Sequence, residues 1–166
     1  MKKRDFDIAF RGLALGQHEF QYDLNDTFFT LFEYSEYRGL RGTTELKMLK
    51  SETVLDLELH FAGSIEAPCD ITNEMYTQEL KNSFVMQIKF GDEYNDENEE
   101  LLILPHGNYQ FNAAQMIYEL VVLSIPSKLL GPNAGNGLED LIEEEEDETE
   151  EKTDPRWDQL KNLLNK

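Results

Sequence analysis

Large apolar residues occupy every second position across residues 55–61, and charged or polar residues fill the positions between them. Successive side chains of a strand point to opposite faces, so this pattern predicts a strand that is buried on one face only. The same alternation recurs in four other runs: residues 5–13, 19–24, 40–48 and 84–90. A chain with five such runs is constrained to fold around a sheet that has one apolar face.

Short polar stretches join these runs, which is typical of antiparallel pairing. Residues 15–17 and 50–52 are predicted hairpin turns, residues 91–100 a polar loop, and residues 101–104 a short apolar run closed by Pro105. Regular strand–helix–strand units are missing, which argues against a doubly wound parallel sheet. We therefore expect an α+β fold with a mainly antiparallel sheet, curved or partly barrel-like, and two or three short helices.

Two helices are predicted in the first 130 residues. Asp26 is a suitable N-cap for a helix over residues 27–34, in which three phenylalanines share one face. The clearer helix starts at Asn112, with Gln115 three residues later in the manner of a capping box. Pro126 is expected to end it.

The composition changes after residue 130. We expect a single α+β domain over residues 1–130, a flexible linker over 131–153 that is first rich in Gly and Asn and then acidic, and an amphipathic helix over 154–166. Asp154 as N-cap and Pro155 at the first helical position predict the start of that helix, and Trp157 lies on its apolar face. Docking of this helix on its own domain and docking on a partner remain open.

The net charge of the 166 residues is −19, and residues 139–154 alone carry −10. Such a chain repels phosphate backbones and anionic membranes at long range, so a basic protein partner fits better. No apolar stretch is long enough for a transmembrane helix, and the N-terminus does not resemble a signal peptide. One cysteine allows no intramolecular disulfide, which favours a reducing, cytoplasmic location.

Catalytic, cofactor-binding and metal-binding patterns are not found in the sequence, and no small-molecule substrate is evident. His18, His60 and His106 have no metal-ligand spacing and are expected on the surface. Cys69 has no second thiol nearby, since residue 72 is Thr, so we expect a small buried residue at a strand end. The alternative, an enzyme that uses Cys69 as nucleophile, predicts a reactive thiolate.

Four basic residues form a possible RNA-binding patch: Arg38, Arg41, Lys47 and Lys50. Tyr34 and Tyr37 lie close to them in sequence and could stack on bases. The alternative is ordinary surface charge along a strand. Direct RNA contact is therefore possible but is not favoured by the overall charge.

Several short motifs, taken in order, resemble the YceD family of large ribosomal RNA subunit accumulation proteins, in the form typical of Bacteroidetes members. They are Gly63-Ser64-Ile65 leading into Cys69-Asp70, then residues 117–120 through Ile125-Pro126, and last Asp154-Pro155-Arg156-Trp157. The resemblance marks eight residues as motif or interaction candidates: Cys69, Asp70, Glu119, Pro126, Asp154, Pro155, Arg156 and Trp157. Many family members carry Cys-x-x-Cys at the central motif, whereas this chain has Thr72 at the second position.

The resemblance implies a role in the accumulation or maturation of large-subunit ribosomal RNA, and it implies no catalytic activity. Combined with the charge, it predicts a non-enzymatic accessory factor that contacts a basic ribosomal protein or a pre-ribosomal particle. The alternative is a general interaction module whose acidic arm and terminal helix bind a basic partner outside the ribosome.

Overall fold

The computed structural model describes residues 1–98 and 100–135. The strands are β1 (Asp7–Ile8), β2 (Gly16–Asn25), β3 (Arg38–Lys50), β4 (Val54–Pro68), β5 (Met75–Gly91), β6 (Asn95–Asn98), β7 (Leu101–Pro105) and β8 (Phe111–Asn112). The α-helices are α1 (Asp26–Thr30) and α2 (Ala114–Val122), and two 3₁₀ helices span Lys3–Phe6 and Phe10–Gly12. The predicted acidic linker from residue 136 onward and the predicted terminal helix lie outside the described residues.

Six strands form one sheet in the order β2-β3-β4-β5-β7-β6. All neighbours are antiparallel except β5 and β7, which are parallel, so the sheet is mixed. The prediction of a β-rich, mainly antiparallel α+β fold is confirmed. The sheet is open, with β2 and β6 at its two edges, so of the predicted curved or partly barrel-like sheet the structure does not show a closed barrel.

One face of the sheet is the buried face. Leu46 of β3 lies opposite Leu59 of β4, which in turn lies opposite Phe84 of β5. Leu46 and Leu59 are fully buried. The N-terminal segment, α1 and α2 pack their apolar residues into the same core, so the other face of the sheet carries the polar side chains.

The first predicted strand, residues 5–13, and its hairpin with residues 19–24 are wrong. Two 3₁₀ helices occupy most of this segment, and the two-residue β1 pairs with β8 instead of β2. Phe6 packs on Tyr22 and Phe28, with ring centroids 5.0 and 5.2 Å apart. Alternating apolar residues are compatible with a strand and also with an irregular segment that lies across the core. The pattern alone therefore led to the wrong assignment for residues 5–13.

The helix ends also differ from the predictions. Asn25, not Asp26, caps α1 through its Oδ1 and the Thr27 N–H, because the Asp26 carboxylate accepts from the Leu40 N–H at 2.8 Å. α1 ends at Thr30, well before residue 34. Ala113 is the N-cap of α2, so the predicted capping box is not formed, but the Asn112 Oδ1 still accepts from the Ala114 N–H at 3.0 Å.

The loop predicted over residues 91–100 contains β6, a short polar strand at the edge of the sheet. Its apolar content is too low for periodicity to reveal it. Charged side chains on an exposed edge oppose pairing with other chains, which suits this position. In the part of the chain that the structure describes, no helix has the length and apolar character needed to cross a membrane.

Thr44 lies in the middle of β3 and is completely buried. Its hydroxyl has no hydrogen-bond partner among the described residues. Replacing Thr44 by the similarly shaped Val removes a buried hydroxyl whose desolvation is not offset by a hydrogen bond. We expect Thr44→Val to raise the free energy of unfolding by about 1 kcal/mol in urea denaturation. Thr43→Val, on the polar face of the same strand, is the control, and equal effects of the two changes would contradict the explanation.

Candidate functional site

Cys69 begins a six-residue turn that joins β4 to β5. The Cys69 N–H donates to the Glu74 carbonyl, and the Asn73 N–H donates to the Cys69 carbonyl, both at 2.9 Å. Asn73 has a φ of 56°, a left-handed conformation that asparagine tolerates better than most residues. The turn is therefore fixed by its own backbone, directly after the last paired residue of β4.

The sulfur of Cys69 is buried, as the sequence predicted, and it lies among hydrogen-bond donors. The Thr72 hydroxyl is the strongest of them, followed by the N–H groups of Thr72, Gly131 and Ile71. These donors favour the thiolate and outweigh burial, so the pKa of Cys69 falls to about 7. Residue 72, at the position that a Cys-x-x-Cys pair would need for its second cysteine, is Thr, and its hydroxyl hydrogen-bonds to the Cys69 sulfur.

Asp70 joins the turn to the segment that follows α2. Its N–H donates to the Leu129 carbonyl and its Oδ2 accepts from the Leu129 N–H, both at 2.7 Å. Farther along, Asn133 Nδ2 donates to Glu74 Oε2 at 2.9 Å. We call residues 69–74 together with residues 129–133 the Cys69 clamp. Through it, contacts with the domain extend beyond residue 130, where the sequence placed the start of the linker.

Glycine at position 131 and two tyrosines bear on the packing of the Cys69 clamp. A Cβ atom on Gly131 would lie 3.2 Å from Tyr76 Cδ1 and 3.4 Å from Cys69 Cβ, so glycine permits the close approach of the two segments. Burial, followed by the charges of Cys69 and Asp70, raises the pKa of Tyr76. The pKa of Tyr37 is also raised, chiefly by burial, then by Glu36, and to a smaller extent by Asp70 and Tyr76. The ring of Tyr76 therefore packs against the clamp at Gly131.

Chemically, the Cys69 clamp can stabilise a thiolate and hold the chain after α2. Within residues 1–98 and 100–135, no group of three or more His, Cys, Asp or Glu side chains is arranged to hold a metal ion. A buried sulfur with several donors around it suits a structural anchor better than an accessible nucleophile. The partners of Cys69 and Asp70 were not predicted, because two loops that meet in space leave no periodic trace in the sequence.

The remaining motif residues are placed separately. Glu119 is exposed on α2 and accepts a hydrogen bond from Gln115 Nε2 at 2.6 Å, within the same helix. Pro126 is exposed, four residues after the end of α2. Asp154, Pro155, Arg156 and Trp157 lie outside the described residues. Of the four motif candidates that the structure describes, the neighbours Cys69 and Asp70 lie in the Cys69 clamp, and Glu119 and Pro126 lie outside it.

The structure does not gather the four residues of the predicted RNA patch. Lys50 donates from Nζ to the carbonyls of Phe10 and Leu13, at 2.9 and 2.6 Å, and so binds the N-terminal segment. Lys47 lies in register between Glu19 and Glu58 on the two neighbouring strands. Twelve residues of extended strand separate Arg38 from Lys50, which is about 40 Å at the usual rise per residue.

A hollow of about 690 Å³ opens on the polar face of the sheet. Its lining includes Lys47, Glu58 and the exposed side chain of Val85, and it contains neither His nor Cys. Asp56, which also lines it, is thirteen residues from Cys69 along β4 and the following turn, so the hollow and the Cys69 clamp are separate features.

Together, the fold and the clamp define a β-rich domain that holds the chain leading to its own acidic segment against a cysteine-containing turn. Residues 57–164 match the sequence model of a family described as large ribosomal RNA subunit accumulation protein YceD. The match covers well over half of the chain, and the protein belongs to the YceD family. Comparison with curated proteins and with solved structures gave no match.

Thr72→Val should raise the pKa of the Cys69 thiol, because it removes the strongest donor to the sulfur while preserving the size of the side chain. Thr72→Ser retains a hydroxyl and is the matched control. The measurement is the ultraviolet absorbance of the thiolate as a function of pH, with the same titration of Cys69→Ser subtracted. An unchanged midpoint in Thr72→Val would contradict the assigned donor.

The lowered pKa of Cys69 also predicts how stability depends on pH. The folded state favours the thiolate, so its contribution is complete above the pKa of the unfolded thiol and is lost as the pH falls through about 7. Under reducing conditions, the Tm advantage of the native protein over Cys69→Ser should therefore grow between about pH 6 and about pH 9. A difference in Tm that does not vary with pH would contradict this linkage.

Asp70→Ala should loosen the segment after α2, because the Leu129 N–H loses its partner. We expect a local cost of about 1 kcal/mol, which corresponds to about fivefold faster tryptic cleavage after Lys128. Cleavage after Lys89, inside β5, serves as the control for global unfolding. Equal acceleration at the two sites would contradict a local role for Asp70.

Proposed function

We propose that this protein is a non-enzymatic, cytoplasmic accessory factor in the biogenesis of the large ribosomal subunit. It supports the accumulation or maturation of large-subunit ribosomal RNA by binding a basic ribosomal protein, alone or within a pre-ribosomal particle. Family membership supports the process, because the family is named for large ribosomal RNA subunit accumulation. The charge distribution supports the proposal that the partner is a basic protein.

The single observation that carries the partner assignment is the acidic segment. Residues 139–154 contain eleven acidic residues and one lysine. Carboxylates at this density attract surfaces rich in Lys and Arg and accelerate encounter with them. In a ribosomal precursor, such a segment would compete with RNA phosphates for the side chains of a basic protein.

The Cys69 clamp supports this proposal by fixing the place from which the segment departs. Leu129 and Ala134 are buried, and Asn133 bonds to Glu74, so the chain is attached to the domain until a few residues before Glu139. A partner that binds the acidic segment is thereby held near the turn between β4 and β5. In this view, Cys69 and Asp70 serve as positioning residues for the interaction.

A second candidate is a general interaction module that uses the same segment and the terminal residues on a basic partner outside the ribosome. The acidic segment fits this candidate equally well. A sucrose gradient of cell extract separates the two: co-migration with particles of the large subunit supports the ribosomal role. A position at the top of the gradient under low salt, with unchanged subunit levels in cells that lack the protein, would favour the alternative.

The partner assignment is tested by pull-down of purified basic ribosomal proteins with the full chain at low and moderate salt. Replacing Glu143, Glu144, Glu145 and Glu146 by Gln should weaken binding by about tenfold, because four attractive charges are removed. The matched control replaces Asp92, Glu93, Asp96 and Glu97, acids near β6, by the corresponding amides. Equal weakening by both variants, or no salt-sensitive binding to any of the proteins, would overturn the assignment.

A further inference from the structure

Four partly exposed aromatic rings form a continuous row on the surface, which we call the aromatic ridge: Phe32, Tyr34, Tyr37 and Tyr118. Phe32 and Tyr118 are stacked, with ring centroids 4.3 Å apart and planes inclined by 15°. Tyr34 lies 6.0 Å from Tyr118, and Tyr37 lies 6.4 Å from Tyr34. The ridge thus joins the segment after α1 to α2.

The aromatic ridge is held from beneath by core residues. Phe32 meets the buried ring of Phe28 edge-on at 5.4 Å, and Tyr34 packs on the buried ring of Phe29 at 4.8 Å. Because their inner sides rest on the core, the rings keep a fixed arrangement. A rigid row of partly exposed rings is suited to stacking against flat ligands.

Three adjacent cations, Lys2, Lys3 and Arg4, lie in the N-terminal segment, and the middle one reaches the Phe32 end of the ridge. They make up three of the eleven Lys and Arg residues within positions 1–135, and all three are exposed. Lys3 Nζ lies 4.8 Å from the centroid of the Phe32 ring. None of the three forms an ion pair with a carboxylate among the described residues.

The backbone around these cations is anchored to the N-terminal end of α2. Asn112 Nδ2 donates to the Lys3 carbonyl at 2.7 Å, and the Ala113 N–H donates to the Phe6 carbonyl at 3.0 Å. The neighbouring acids are already engaged: Asp5 Oδ2 accepts from the Lys2 N–H, and Asp7 Oδ1 accepts from Asn112 Nδ2. The backbone of this segment is therefore fixed, and it holds Lys3 beside the Phe32 ring.

We propose that the aromatic ridge and the Lys2-Lys3-Arg4 triplet bind single-stranded RNA. Cations that neutralise phosphates beside rings that stack on unpaired bases are the two components of such sites. A base stacked on Phe32 would take the position of the Lys3 ammonium, which would then turn to a phosphate. The inference deepens the proposed role in ribosome biogenesis and rests on it, with RNA as a second partner on a separate surface.

RNA is favoured over an acidic peptide, including the acidic segment of this chain, because the ridge supplies ring faces as well as charge. Acidic side chains have no flat aromatic face to stack on a ring, whereas every nucleobase has one. Glu33 and Glu36 lie within the ridge segment, and the whole chain is strongly acidic, so binding should be weak and highly sensitive to salt.

The first test measures binding of the full, C-terminally tagged chain to a fluorescein-labelled single-stranded RNA of about 15 nucleotides by anisotropy. With three phosphates neutralised, affinity should fall by about 20-fold between about 50 mM and about 200 mM salt. The double variant Lys2→Glu/Arg4→Glu should lose at least about tenfold in affinity, since it reverses two contacts with phosphate. The matched double variant Lys81→Glu/Lys89→Glu, on the polar face of β5, should stay within about twofold.

The second measurement isolates the rings without altering the protein. An abasic RNA of the same length carries the phosphates but has no bases, so it should bind at least about tenfold more weakly. Equal affinity for the two RNAs, equal weakening by the two double variants, or no saturable binding at low salt would each overturn the proposal.

The closing comparison separates this surface from the proposed function. Lys2→Glu/Arg4→Glu should retain its Tm and its binding to the basic ribosomal protein while it loses RNA. Loss of protein binding together with RNA binding would overturn the assignment of a separate RNA surface. Failure of the RNA experiments with intact protein binding would overturn the RNA surface and leave the proposed function standing.

Discussion

The pairing of β4 is the constraint on which the rest of the structure depends. This strand is antiparallel to β3 along most of its length and to β5 over all fifteen residues, from Val54 opposite Lys89 to Pro68 opposite Met75. A shift of one residue would turn its buried leucines to solvent, so burial specifies the register strongly. Because the register is fixed up to Pro68, the position of the next residue, Cys69, is fixed as well.

The alternation that defines β4 also explains how much of the fold was predictable. Strands that bury one face carry their pattern in the sequence, and β2, β3, β4 and β5 were found from it, although their ends were placed too far inward. Pairing partners are not encoded in that pattern. The N-terminal segment has the same alternation, yet it crosses the core and contributes only β1, which pairs with β8. The polar strand β6 has no apolar pattern from which it could be found.

Only part of the Cys69 clamp could be predicted from the sequence, for a related reason. The sequence indicated a buried Cys69 and marked Asp70 as a motif residue. Their hydrogen bonds, however, are made with Leu129 and Gly131, about sixty positions later in the chain. Although there is no second cysteine, the single sulfur has hydrogen-bond donors around it. The Thr72 hydroxyl and nearby N–H groups supply polar contacts to the sulfur.

Net charge is a poor guide to partners in a chain whose charges are segregated. The value of −19 is not spread evenly: residues 139–154 carry −10, and the remaining 150 residues together carry −9. Lys3 of the basic triplet lies against Phe32 at one end of the aromatic ridge, and Tyr37 lies at the other end. In the proposed role, this segregation along the chain would let one small protein meet both the phosphates and the basic proteins of a precursor particle.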